Sequence, residues 1–153
     1  MPRPFLTVLR NSGGMDEQEM LTALRELFPR AEVTEAMNAF FWFAEGDERK
    51  LMPFLTLVTT DEHDRASRLS REGAYRLNFS LTPAEYASRF GPLPKARADW
   101  GVVDTGFDYA APDRLMPHPI YAPLGWACIV RPGRESFEAL VPLLRAAYER
   151  ALT

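Results

Sequence analysis

His118 lies between two prolines in Leu115-Met116-Pro117-His118-Pro119-Ile120-Tyr121, upstream of the single cysteine, Cys128. Each proline ring fixes its own φ and restricts the residue before it, so this imidazole is presented from a stiff, extended backbone. A ring held that way can hydrogen-bond a structural corner, contact a ligand, or act as general acid or base. Spacing alone names no carboxylate to orient it. Cys128 falls inside the apolar run Trp126-Ala127-Cys128-Ile129-Val130, where a thiol serves as a small buried hydrophobe. A nucleophilic thiol sits instead at a helix N-terminus or beside a cation.

Other chemistry is sparse. The only further histidine, His63, lies in the acidic turn Asp61-Glu62-His63-Asp64-Arg65 and reads as a solvated residue. Without H-x-x-x-H, H-E-x-x-H or C-x-x-C spacing, no metal is expected. No strand-linked G-x-G-x-x-G or G-K-[ST] occurs, so no cofactor is expected. Asp61 with Asp64, or Asp104 with Asp108, could flank a substrate as acid and base, although acidic loop residues are foremost turn formers. Aromatic residues make up 12% of the chain and are first of all core. The alternative is a concave apolar pocket with a few polar groups: His118, Asn78, Tyr121, and Asp104 or Asp108.

The elements that must position these residues follow from periodicity. Asp16 caps a helix with Glu19 in a box-like arrangement, and Met20, Leu21, Leu24, Leu27 and Phe28 share its apolar face before Pro29 ends it. The period then changes to two. Residues 31–37 and 39–44 read as strands, the second with the continuous run Phe40-Phe41-Trp42-Phe43 that suits cover on both faces. A charged turn at 45–50 leads to a third strand, 53–59. The segment 61–73 has room for one or two helical turns. Tyr75, Leu77, Phe79 and Leu81 alternate with Arg76, Asn78 and Ser80, predicting a strand with one dry and one wet face. Thr82-Pro83-Ala84-Glu85 starts a short helix that ends near Phe90 and Gly91. Residues 91–113 form a long loop carrying Asp99, Asp104, Asp108, Trp100, Phe107 and Tyr109, and loops of this length are functional or mobile. A strand at 126–130 and a final helix from about 135 to 152 close the chain, with Pro142 expected to kink that helix or split off its first turn.

Helices at both ends with antiparallel-type strands between them predict a single α+β domain over 15–153, its sheet covered mainly on one face. Residues 1–14, ending in Gly13-Gly14, read as a flexible extension, with a short edge strand at 5–9 as the competing reading and Met15 as a second candidate start. The length of 153 residues suits one domain, and 46% apolar and 25% charged content are ordinary for a globular chain. A net charge of −3, with Arg49-Lys50 the only adjacent basic pair, argues against nucleic acid and anionic membrane. One cysteine, and no apolar run of membrane-spanning length, place the expected location in the cytoplasm. Oligomeric state is not set by any of these features.

Together, Arg76-Leu77-Asn78, Thr82-Pro83-x-Glu85-Tyr86, Gly91-Pro92, Phe107-Asp108-Tyr109, the block Asp113 to Tyr121, Trp126, and Pro142-Leu143-Leu144 with Ala147-Tyr148 resemble a small bacterial family catalogued as domain of unknown function 6194. The resemblance spans about residues 15–150, and L-M-P-H-P-x-Y is its most specific part. It implies a stand-alone cytoplasmic domain and brings no activity. More distantly, the element order is similar to the YjbR-like fold, an α+β layer discussed as a nucleic-acid binder.

These readings converge on a non-enzymatic module that binds a small molecule or a protein. Its cleft would be roofed by the long loop and bounded by His118, Tyr121 and Trp126, with Asn78, Asp108 and Tyr109 as further contacts. A small hydrolase using His118 with a loop aspartate is the alternative, and a YjbR-like DNA-binding protein the second.

Overall fold

The structure, a computed structural model, describes residues 14–152; the expected N-terminal extension and its possible edge strand therefore lie outside the described residues, apart from Gly14. Helix α1 (Glu17–Leu27) begins as the capping box requires: the Asp16 carboxylate accepts the Glu19 N–H and the Glu19 carboxylate accepts that of Asp16. Gly14 packs closely, since a Cβ there would stand 2.1 Å from the Arg131 carbonyl oxygen. Met15 is tied down on both sides, its N–H donating to the Pro132 carbonyl and its own carbonyl accepting from the Tyr75 hydroxyl.

Six strands form one antiparallel sheet: β1 (Glu32–Ala36), β2 (Ala39–Phe43), β3 (Leu55–Val58), β4 (Arg76–Ser80), β5 (Met116–Pro117) and β6 (Trp126–Val130), in the spatial order β1-β2-β3-β4-β6-β5. Strands β1 and β2 are joined by Met37 and Asn38, both at positive φ, the geometry of a tight hairpin that asparagine tolerates better than methionine. Helix α2 (Pro83–Phe90) follows β4, and helix α3 (Arg134–Leu152) closes the chain. The fold is α+β, with helices at both ends, as the sequence predicts.

Register explains the division of labour between the two faces. Across the sheet, Phe40 faces Leu57, which faces Leu77, which faces Ile129; Trp42, Leu55, Phe79 and Ala127 form the next row. These rows pack under Met20, Leu21 and Leu24 of α1, Tyr86 of α2, and Phe137, Leu140 and Leu144 of α3. Each such fully buried side chain contributes about 1.5–3 kcal/mol relative to exposure. The opposite face carries Phe41, Thr56, Asn78 and Cys128 in one row, and Ala39, Val58, Arg76 and Val130 in the next. No helix covers it. The segment 59–75 and the long loop after α2 lie over it instead.

Three sequence expectations are corrected here. The predicted wet face of β4 is dry: Arg76 and Asn78 are 1% and 2% exposed. Segment 61–73 holds hydrogen-bonded turns, not helix. Pro142 does not split off a first turn, and α3 is one continuous helix, Arg134–Leu152. Pro142 and Glu138, whose carbonyl loses its donor there, are both exposed, so that carbonyl can bond water.

Candidate functional site

His118 is held by four hydrogen bonds to backbone groups. Its N–H donates to the Trp126 carbonyl at 3.0 Å, extending the β5–β6 pairing by one residue. Its Nδ1 accepts the N–H groups of Ile120 and Tyr121, each at 3.0 Å. Its carbonyl accepts from Ala122, opening the 3₁₀ turn Ala122–Leu124. The proline-flanked histidine thus caps a turn in the way an aspartate or asparagine would. Gly125 ends that turn at φ +91°, where a Cβ would lie 2.8 Å from the Leu81 carbonyl oxygen, so only glycine fits.

This capping fixes the ring's protonation. Backbone N–H groups can only donate, so Nδ1 presents its lone pair and the neutral ring carries its hydrogen on Nε2. Burial, reinforced by the Arg76 charge and opposed by Asp64, holds the imidazole well below its ordinary pKa.

Below the ring lies a buried polar network on β4. Arg76 forms a two-pronged ion pair with Asp64, Nη1 to Oδ1 at 3.0 Å and Nη2 to Oδ2 at 2.7 Å. Its Nη1 also donates to the Ser67 hydroxyl and its Nε to Asn78 Oδ1. The Asn78 amide nitrogen donates to the Thr56 hydroxyl. Four of the five guanidinium hydrogens are therefore placed. The fifth, on Nη2, faces His118 Nε2 at 3.5 Å; both atoms are donors, so this approach is not a hydrogen bond. Burial pushes the Asp64 carboxyl upward, but the hydrogen bonds and charge of Arg76 outweigh it and hold Asp64 below its ordinary value.

Above this floor opens a cavity of about 610 Å³, within the range of small-molecule sites. Phe41, Val58, Ile120, Tyr121, Trp126 and Trp100 supply most of its apolar wall, with Met52 and Leu124 at the rim. The His118 ring lies 5.0 Å from that of Tyr121 at 34°, and 6.4 Å from that of Trp126 at 82°. His118, Asn78, Tyr121 and Trp126, four of the residues named from sequence, meet at this cavity. Asp108 and Tyr109 do not line it. Asp108 accepts the Ala110 N–H in its own turn, and the Tyr109 hydroxyl, buried beside Met116 and Cys128, donates to the Val103 carbonyl.

The long loop contributes Trp100 and is pinned by the Val103 N–H on the Pro119 carbonyl, 2.7 Å away. His63 also lines the cavity, its Nε2 3.1 Å from the Met37 carbonyl. No group of His, Cys, Asp or Glu residues among the described residues could hold a metal ion. Burial pushes the Cys128 thiol up to about 12, which leaves it protonated and unreactive. Sequence reasoning missed Arg76, Thr56 and Phe41, and it weighed Asp64 only as an acid beside Asp61. The signal for Arg76 is the alternation of Arg76 and Asn78 with Leu77 and Phe79, which reads as solvation.

The model of a family of unknown function, DUF6194, matches residues 15–153. The chain belongs to that family. No curated protein and no solved structure matches it. In this DUF6194 domain the L-M-P-H-P-x-Y block builds one wall of the cavity, with Met116 and Pro117 pairing to β6, His118 capping, and Tyr121 stacked on its ring. Among the described residues, no helix of the domain is long and apolar enough to cross a membrane.

Proposed function

We propose that this domain is a non-enzymatic binding module that holds a small molecule in the cavity beside His118. One observation carries the reading: Nε2–H of His118 and the fifth N–H of Arg76 approach to 3.5 Å, both residues line an aromatic-walled cavity, and no acceptor among the described residues takes either hydrogen. Buried donors are ordinarily satisfied, and a pair left open at a cavity floor is the form a ligand contact takes. The concave shape of the cavity favours a small molecule over a flat protein face.

The hydrolytic alternative has less support. A general base must offer a lone pair, and the cavity-facing nitrogen of His118 carries a proton instead. The loop aspartates are engaged elsewhere, Asp104 with the Gly106 N–H, Asp108 with that of Ala110, and Asp113 with that of Gly133.

The test is titration of nitrogen-15-labelled protein with a mixed set of small aromatic, aliphatic, neutral and charged fragments. Saturable shifts are expected at the indole N–H signals of Trp100 and Trp126, with Trp42 in the core as the unmoved reference. If no fragment moves those two signals, the cavity is not a binding site.

A further inference from the structure

The atoms left over at the cavity floor specify what kind of ligand group would meet them. Each side-chain acceptor of the polar network already holds at least one hydrogen bond. Asp64 Oδ1 takes Arg76 Nη1 and the Ala66 N–H, and its Oδ2 takes Arg76 Nη2. Asn78 Oδ1 takes Arg76 Nε, and the Thr56 oxygen takes the Asn78 amide. What remains is hydrogens: Nε2–H of His118, the fifth N–H of Arg76, the second amide hydrogen of Asn78 and the Thr56 hydroxyl hydrogen. With the two nitrogens 3.5 Å apart, one oxygen can sit about 2.9 Å from each.

Charge narrows the choice. Arg76 is already balanced by Asp64 in a pair whose side chains are 1% and 7% exposed, and the imidazole is neutral. An anion there would enter a desolvated site beside a buried carboxylate with no spare cation, an arrangement that burial penalises. A hydroxyl could accept there too, but its own hydrogen would have to share a network oxygen that already holds a hydrogen bond. A carbonyl oxygen has two lone pairs, no hydrogen and no formal charge. Around it stand the flat rings of Tyr121, Trp126, Trp100 and Phe41, which favour a planar apolar body.

We propose that the ligand presents an uncharged carbonyl oxygen to Arg76 and His118 and lays a flat apolar ring system against Tyr121 and Trp126. This rests on the reading of the cavity as a small-molecule site.

Three matched probes test it: naphthalene-2-carboxamide, 2-naphthoate and 2-methylnaphthalene, each titrated while the Trp100 and Trp126 indole signals are followed. The carboxamide is expected to bind about 10-fold more tightly than either companion, the worth of one well-placed hydrogen bond. His118→Asn keeps an acceptor for the Ile120 and Tyr121 N–H groups but removes Nε2–H. In that variant the carboxamide's advantage over methylnaphthalene should largely disappear. Equal or tighter binding of the naphthoate would show an anion site, and equal binding of methylnaphthalene would show that no acceptor is recognised. Either result overturns the ligand class and leaves the cavity a binding site. Silence of all three probes, where members of the mixed fragment set do bind, also overturns the class. Silence of every compound removes the cavity reading itself.

Discussion

His118 serves two masters through its two nitrogens, and substitutions should separate them. His118→Ala removes the acceptor for two part-buried backbone N–H groups and is expected to lower stability by about 1–3 kcal/mol in urea unfolding. His118→Asn restores an acceptor at the Nδ1 position and should recover most of that loss. Equal losses in both variants would mean that the cap contributes nothing. Acid should act through the same ring. Unfolded, an ordinary histidine takes a proton near pH 6.5, whereas this ring stays neutral well below that. The unfolded chain then binds more protons, so the stability contributed by the neutral ring is present above about pH 6.5 and lost as pH falls below it. Asp64, depressed from its ordinary 3.8, adds a second loss only as pH falls below that value. The urea midpoint should therefore drop between pH 7 and 5 in the wild type and stay flatter in His118→Asn. Beneath the ring, Asp64→Ala strands the Arg76 charge and should cost about 3–5 kcal/mol, whereas replacing both by apolar residues of similar volume, Arg76→Met with Asp64→Leu, should recover most of it.

The elements show why some of this was legible in the sequence and some was not. Local rules located α1 and α2, because the boxes Asp16–Glu19 and Thr82–Glu85 form as spaced. Thr82→Ala should accordingly cost about 1 kcal/mol by thermal or urea unfolding. Strands β2, β3, β4 and β6 were equally visible from their period and composition. The site was legible at the locally rigid segment Pro117 to Tyr121, in the strand beginning at Trp126, and at Asn78. The rest of its floor was not, because Arg76 and Asn78 alternate with Leu77 and Phe79 as solvent-facing residues do. Only pairing β4 between β3 and β6, under the segment that carries Asp64, turns that polar stripe inward. Asp108 and Tyr109 failed for the complementary reason: they share the long loop with Trp100, but turns and the Tyr109–Val103 hydrogen bond hold them away from the cavity. Pro142 does not split its helix, since a proline whose freed carbonyl belongs to an exposed residue can leave a well-packed helix continuous.

At the scale of the molecule the two sheet faces have separate duties. The face beneath α1, α2 and α3 carries the apolar core, while the opposite face holds a charged pair, a neutral ring and a cavity. Tyr121, 45% exposed, and Trp100, 48% exposed, stand at the rim of that second face. Their replacement by alanine should change stability by no more than about 0.5 kcal/mol while weakening binding. With a net charge of −3 and its buried arginine already paired, the domain should not be retained on duplex DNA even at low salt. Retention that weakens steeply with salt would instead identify a phosphate contact. Everything at the site depends on where the proton of His118 resides. A tautomer-sensitive nitrogen-15 spectrum of this ring, recorded between pH 6 and 8, should show Nδ1 bare and hydrogen-bonded, Nε2 protonated, and no change across the range. A proton found on Nδ1, or a ring that becomes cationic within that range, would contradict the account.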